Sequence, residues 1–367
     1  MKKGYYIHSQ SKQSPGVAKK IDMHIKEFSK FYDIEDIDIG VQGRTLIQRI
    51  IGLLPTASIP RNYRHTLEMM DNPDFVYIRR MVCDRAYINF IKSIKAEFPD
   101  CKILIELITY PYDRDEYAKW NAWPFYIKEL IYRKKLKGYV DRLITYTDDK
   151  KIFGIETIRS INGTDVSSVK MVEGEYNPNA LNLIGVAYMQ RHHGYERVIR
   201  GLADYYKTEQ EVLVRLVLVG DGPEKASYVN MVNTLGLEKY VVFHPSTTGD
   251  ALERLYDSCD IGLASLGMYK LGLYGKQSVL KSREYLSKGM LMLLGCQIDI
   301  IDDDYPYAVS FNNNSDAIDI VKVVDFYKNI CRDYQSKTDL AKIIRDFAFD
   351  TVDNAVVMRP IIEYIGK

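Results

Sequence analysis

Short apolar runs alternate with longer segments of helical period along most of the chain. GYYIHS (4–9), DFVYIRR (74–80), CKILIELI (101–108) and DRLITYT (141–147) are too short for typical helices and predict buried strands. Between them, VAKKIDMHIKEFSKF (17–31) and AYINFIKSIKAEF (86–98) repeat apolar positions every three or four residues, which predicts amphipathic helices. The pattern breaks over 160–180, SINGTDVSSVKMVEGEYNPNA, where polar and turn-forming residues predict a linker. A second series then runs through strands at 180–189, 214–222, 240–245, 260–266 and 290–295. Its helices are expected at 195–206, 225–237, 250–259 and 276–289, with a helical region over about 316–365. Strands alternating with helices predict an α/β fold with parallel sheets. The expected division is a domain over 1–170 and another over 178–349, with a terminal helix at about 350–367 packing back on the first. Two Rossmann-like halves suggest an enzyme with its active site in the cleft between them.

Composition narrows the classes. The 367 residues suit two domains. A net charge of +1 argues against a general nucleic-acid binder. The five cysteines are scattered without a C-x-x-C pair, which suggests free thiols in a reducing compartment. No signal-peptide pattern and no apolar run of membrane-spanning length is visible, so the expectation is a cytoplasmic protein. Two segments carry apolar residues beside cations. In RTLIQRIIGLLP, Leu46, Ile47, Ile50, Ile51 and Leu54 share a helical face, with Arg44 and Arg49 off it. In KWNAWPFYIKELIYRKKLKG, Trp120, Trp123, Ile127 and Leu130 stand beside Lys128, Arg133, Lys134, Lys135 and Lys137. Each fits either a core stripe with solvated charges or a face resting on an anionic membrane, at the inner face of the cell membrane.

Several motifs follow one another in fixed order: INGTD (161–165), HHGYERVI (192–199), LVGDGPE (218–224), LGLEKYVVFHP (235–245), LERLYDSCDIGLA (252–264) and REYLSKG (283–289). That succession resembles the C-terminal half of retaining glycosyltransferases of family 4, which have the GT-B fold. The resemblance covers about residues 140–295. In the first half it is weaker, resting on the glycine-bearing loop SQSKQSPGVAKKI.

The resemblance implies a fold and a site. The fold would be GT-B, two Rossmann-like domains with a cleft between them. Glu284 would hold the ribose hydroxyls of a UDP- or GDP-linked sugar, since an ionised carboxylate accepts from a vicinal diol. The backbone around Ser278, Val279, Leu280 and Lys281, at a helix start, would receive the diphosphate. Gly16, His193, Gly194, Gly220, Gly222 and His244 complete the expected donor-binding set. The alternative for Glu284 is a salt bridge on a surface helix, and for Gly16 a simple helix entry. Three departures stand out. Lys276 replaces a family glutamate, His193-Gly194 replaces Lys-Gly, and Ala187-Tyr188-Met189 replaces Gly-Arg-Leu. Arg191, Lys276 and Lys281 are the local substitutes for the displaced cations, and Arg191, Lys276 and Glu284 form the expected catalytic set. On the acceptor side, Arg79 and Arg80 end a strand, and Tyr112 and Asp113 follow another. They face either an anionic acceptor or solvent.

The family chemistry uses no metal, no histidine pair has ligand spacing, and the DDD at 302–304 reads as a turn. The implied activity is metal-independent hexosyl transfer to a glycan or lipid-linked acceptor, with no cofactor beyond the nucleotide sugar and no nucleic-acid partner. A nucleotide-sugar 2-epimerase and a non-catalytic partner subunit are the alternatives.

Overall fold

A computed structural model describes residues 1–9, 15–40, 52–107, 110–112 and 122–367. It divides the chain into one unit of Met1–Ile161 with Asn354–Lys367 and another of Asn162–Asp353. The first is built on seven strands: β1 (Lys3–His8), β2 (Asp33–Asp38), β3 (Phe75–Arg79), β4 (Lys102–Leu107), β5 (Arg142–Thr145), β6 (Lys151–Ile152) and β7 (Ile155–Arg159). Their order is β2-β1-β3-β4-β5-β7-β6, parallel except for the β6–β7 pair. β1, β3 and β4 are covered on both faces, which is why their sequences are near-continuous apolar runs. β2 (DIEDID) has no such run because it lies at the edge, where only Ile37 is buried.

The helices of this unit are α1 (Pro15–Phe28), α2 (Tyr63–Met69), α3 (Arg85–Glu97) and α4 (Trp123–Tyr132). The last helix of the chain, Asn354–Gly366, also belongs to it. Its Met358, Ile361 and Ile365 bury against Tyr6, Phe28, Phe75 and Tyr77, and Tyr32 Oη donates to the Ile362 carbonyl at 2.6 Å.

The second unit carries an all-parallel sheet of β8 (Ala180–Val186), β9 (Leu213–Val219), β10 (Val241–His244), β11 (Ile261–Leu263), β12 (Leu291–Leu294) and β13 (Ala308–Ser310). The order is β10-β9-β8-β11-β12-β13. The intervening helices are α5 (Glu196–Tyr205), α6 (Lys225–Thr234), α7 (Asp250–Asp257) and α8 (Leu280–Lys288). α9 (Ile320–Asp333) and α10 (Lys337–Thr351) follow, which makes the terminal helix α11. The polar stretch from Asn162 is no free tether. Val166, Val172 and Tyr176 are buried in this core, and Arg345 of α10 donates to the Val166 and Val169 carbonyls at 2.7 Å each.

β13 escapes sequence reading because it is three residues long at a sheet edge. No helix among the described residues is long and apolar enough to cross a membrane.

Irregular loops leave the carboxyl ends of these strands, and their carbonyls need donors. Arg197, on α5 and buried, supplies three. Its Nη1 donates to Leu266 O (2.6 Å), Nε to Asp316 O (2.7 Å) and Nη2 to Asn312 O (2.9 Å). The loops after β11 and β13 are thereby fixed to one guanidinium. Arg197→Met strands these carbonyls and is expected to destabilise the second unit by about 3–5 kcal/mol. The check is the shift of the urea unfolding midpoint, and an unshifted midpoint would contradict the role given to Arg197.

Candidate functional site

At the carboxyl edge of the second sheet, a cavity of about 350 Å³ is lined by His192, His193, Ser265, Met268 and residues Gln277 to Lys281. Such an edge is where α/β units collect ligands. Its wall includes the start of α8. The N-cap residue, Val279, is extended and no side chain caps the helix, so its first N–H groups have no side-chain acceptor. The wall is braced from behind by Arg283, which is buried. Arg283 donates to Asn162 O (3.1 Å), Val279 O (3.2 Å) and Ser278 Oγ (3.0 Å), and pairs with Asp299. Asn162 itself donates through Nδ2 to Ser278 O at 3.2 Å. The asparagine of the INGTD stretch therefore sits directly against the Ser278 segment.

The opposite wall is the turn Arg191–His193, and the two glycines of LVGDGP hold the loop before it. Gly220 and Gly222 have φ of +127° and +137°. A Cβ on Gly220 would come within 2.0 Å of Ala187 O, and one on Gly222 within 2.5 Å of Met189 N. Only glycine lets the loops after β8 and β9 approach this closely. The Gly220 N–H donates to His244 O, so His244 contributes its backbone to this loop cluster. Gly194, also at positive φ, lies against Leu266 and Gly267. The Leu266 N–H donates to His193 O and the Gly267 N–H to His192 O.

His193 and Lys281 meet across Tyr195. The His193 ring stacks on the Tyr195 ring (centroids 5.7 Å, interplanar 18°), and its Nδ1 accepts from the Gln190 N–H at 2.9 Å. Burial first, then Lys281 and His192, push the imidazole pKa down to about 3. The ring is thus neutral, and with Nδ1 accepting, its proton is on Nε2. His193 offers a hydrogen-bond donor where a lysine would offer a charge. Lys281 Nζ donates to Tyr195 Oη at 2.7 Å. Burial lowers its pKa to about 7, against the opposing pull of Glu284.

Glu284 follows Lys281 by one turn of α8 and is half-buried. Its Oε1 accepts from Tyr256 Oη at 2.9 Å, and burial raises the phenol pKa well above its usual range, so Tyr256 remains a donor. Oε2 has no partner among the described residues. Tyr256, Tyr195 and Arg283 were not singled out from the sequence. Tyr256 lies within the LERLYDSCD motif, but nothing in the chain alone marks its hydroxyl as the one that orients Glu284.

The other two expected cations adjoin the lining residues His192 and Gln277 without themselves lining the cavity. Arg191 is exposed and donates to Lys270 O at 2.6 Å. Lys276 is exposed and pairs with Asp302 at 3.3 Å. Of Arg191, Lys276 and Lys281, only Lys281 lines the cavity. Among the described residues no three metal-ligating side chains converge.

In the first unit, Gly16 falls in the first turn of α1, and Asp113 lies outside the described residues, as do Trp120 and residues 44–51. Arg79 is buried and faces Glu106 at 3.5 Å. Lys20 approaches Glu106 to 3.4 Å and Tyr146 Oη donates to it at 2.6 Å. Burial would raise the Glu106 pKa, but these neighbours, Lys20 first, hold it down to about 2. Arg80 pairs with the buried Glu129 at 3.3 Å, and its guanidinium lies 3.6 Å from the Tyr112 ring centre. Tyr112 Oη donates to the second oxygen of Glu129 at 2.9 Å. Arg80 and Tyr112 are therefore brought together, but around a carboxylate of the chain's own.

The sequence matches no protein-family model and none of the curated proteins. Solved structures are similar in fold. HepE of Anabaena in complex with UDP superposes with a TM-score of 0.64 at 12% identity, covering 99% of each chain. A glycosyltransferase from Rickettsia africae gives 0.63 at 13%, covering 100% of this chain and 99% of the other. The lipopolysaccharide outer core galactosyltransferase WaaB gives 0.59 at 14%, also covering 100% and 99%. With two Rossmann-like units and coverage of this extent, the chain has the GT-B fold.

The Lys281 environment predicts a pH dependence. Between about 7 and 10.5 the unfolded chain binds a proton at this lysine that the folded chain does not, so its contribution to stability rises with pH. Below about 7 the burial penalty is fully present. Lys281→Met should stabilise at neutral pH by about 1–2 kcal/mol, allowing for solvent around a half-buried group. The gain should shrink as pH rises toward 10.5. Urea unfolding across this range checks it, and a difference that is flat with pH would refute the environment described for Lys281.

Proposed function

We propose that the chain is a retaining glycosyltransferase, moving a hexose from a nucleotide diphosphate-sugar to a glycan or lipid-linked acceptor in surface polysaccharide synthesis. The observation that carries this reading is the cavity at the start of α8. It joins uncapped helix N–H groups, a neutral imidazole donor and Lys281, and Glu284 stands one turn further on with one carboxylate oxygen unpartnered. Helix N–H groups and a lysine suit a diphosphate, and a carboxylate anchored by Tyr256 suits a ribose diol. Support comes from structures of similar fold, in which HepE holds UDP and UDP-glucose.

In the proposed reaction, the bond between the anomeric carbon and the diphosphate oxygen breaks. The acceptor oxygen bonds to the same face of the carbon, and its proton passes to the leaving phosphate. The chain's part is positioning and charge stabilisation, without a metal. Lys281 takes the role expected of the displaced cations, while Arg191 and Lys276 are tied to Lys270 O and Asp302. Epimerisation would require carboxylates to move protons around the sugar, and the described lining of the cavity has none. The reading includes contact between the first unit and an anionic membrane surface.

Calorimetric titration with UDP and GDP tests the reading. The wild type should bind one of them, and Glu284→Ala should bind it at least ~10-fold more weakly, for loss of charge-assisted bonds to the diol. Tyr256→Phe keeps the carboxylate but frees it, and should cost about threefold. A wild-type chain that binds neither nucleotide would sink the proposal, and so would a folded Glu284→Ala variant of unchanged affinity.

A further inference from the structure

A groove lined by cations stands out on the first unit. α3 turns Arg85, Asn89 and Lys92 to solvent, at positions one and two turns apart on a single face. Together with Tyr132 and Lys135, at the end of α4 and just beyond it, they line a groove of about 310 Å³. Lys135 lies 4.6 Å from the Tyr132 ring centre and Lys92 lies 5.2 Å from that of Tyr139. Neither these lysines nor Arg85 or Lys134 form an ion pair with a described carboxylate. Lys95, on the same helix, is by contrast paired with Asp141 at 3.0 Å. In a chain of net charge +1, this concentration of uncompensated cations is local, not a general excess.

The neighbouring surface is apolar. Trp123, Leu130 and Ile131 of α4 are 56%, 46% and 42% exposed, and their spacing puts them on one helical face with Lys134. Another face carries Lys128, fully buried, which donates to Gly52 O and Ala57 O at 2.6 Å each. That staple brings the 52–57 loop to α4, and with it Leu53 and Leu54, which are 46% and 56% exposed.

We propose that the groove between α3 and the end of α4 binds the phosphate of an anionic lipid headgroup, while the α4 face and Leu53–Leu54 enter the interfacial layer beside it. Charge complementarity gives the groove its ligand class. The adjoining apolar side chains select a bilayer over a soluble phosphate or an acidic protein. A soluble anion would leave them in water, whereas the headgroup boundary takes up the apolar face of an amphipathic helix. The proposal deepens the membrane contact of the functional reading and uses no residue of the nucleotide cavity.

The test is co-sedimentation of the full chain with phosphatidylcholine vesicles, with and without phosphatidylglycerol, alongside calorimetric UDP binding. The wild type should bind only the anionic vesicles, less tightly at high salt, with a blue shift of tryptophan emission. Arg85→Gln with Lys92→Gln and Lys135→Gln should weaken binding on the order of a hundredfold. Trp123→Ser with Ile131→Ser should weaken it at least ~10-fold. All of these residues are exposed, and unchanged unfolding midpoints confirm that the variants fold. Wild-type chain that ignores anionic vesicles, or binds neutral ones equally, overturns the proposal. So does wild-type affinity in either variant. Failure to bind UDP or GDP counts against the transferase reading and leaves the vesicle result to decide this one.

Discussion

The structure depends on satisfying the carbonyl groups of loops that leave parallel strands at their carboxyl ends. A parallel sheet sends every crossover out at that edge, so irregular backbone crowds where a ligand would have to sit. Water cannot reach all of it, and an unpaired buried carbonyl costs about as much as a stabilising hydrogen bond contributes. In the second unit, guanidinium groups solve the problem, buried at Arg197 and Arg283 and half-buried at Arg345. Arg197 gathers the loops after β11 and β13, Arg283 ties Ser278 and Val279 to Asn162, and Arg345 ties the incoming polar stretch to the end of α8. A planar cation with five donors in a rigid fork holds several carbonyls at set angles, whereas lysine offers a point charge on a flexible stem. The irregular backbone of the cavity wall is thereby hydrogen-bonded to the interior.

That solution constrains the chemistry. Arginines used as braces are unavailable to a ligand, and Arg191 and Lys276 are engaged at the surface. The cation left on the cavity wall, Lys281, is held by a phenol in place of a carboxylate. A neutral partner steers the ammonium without neutralising it. Partial burial then keeps its charge in doubt near neutral pH until an anion arrives, and a diphosphate would raise its pKa as it binds. His193, with Nδ1 committed to the Gln190 N–H, contributes a donor whose protonation stays constant over the same range.

The sequence made the architecture legible wherever strands were covered on both faces, because most of their buried positions are apolar. β2, β6 and β13 were not legible, since edge strands face water and need no apolar run, and β7, between β5 and the two-residue β6, has only one buried position. The start of α8 and the glycine turn were readable as well. Helix–loop–strand order is local, and a glycine at positive φ against a neighbouring carbonyl admits no substitute. What stayed hidden was the pairing of side chains distant in the chain. Tyr256 with Glu284, Tyr195 with Lys281, Arg80 with Glu129 and Arg79 with Glu106 span from 27 to 86 residues. Periodicity reports which face a residue occupies, not which residue faces it, so Arg79 and Arg80 looked as free for a ligand as Lys281.

Their pairing bears on the proposed acceptor. An anionic acceptor that drew Arg79 from Glu106, or Arg80 from Glu129, would have to separate an ion pair whose carboxylate is buried, at a cost of several kcal/mol. The depressed pKa of Glu106 means that it keeps its charge and does not yield by taking a proton. A neutral, hydroxyl-rich acceptor imposes no such separation of charge. The groove cations Arg85, Lys92 and Lys135, which form no ion pair with a described carboxylate, carry no such cost when they meet an anion.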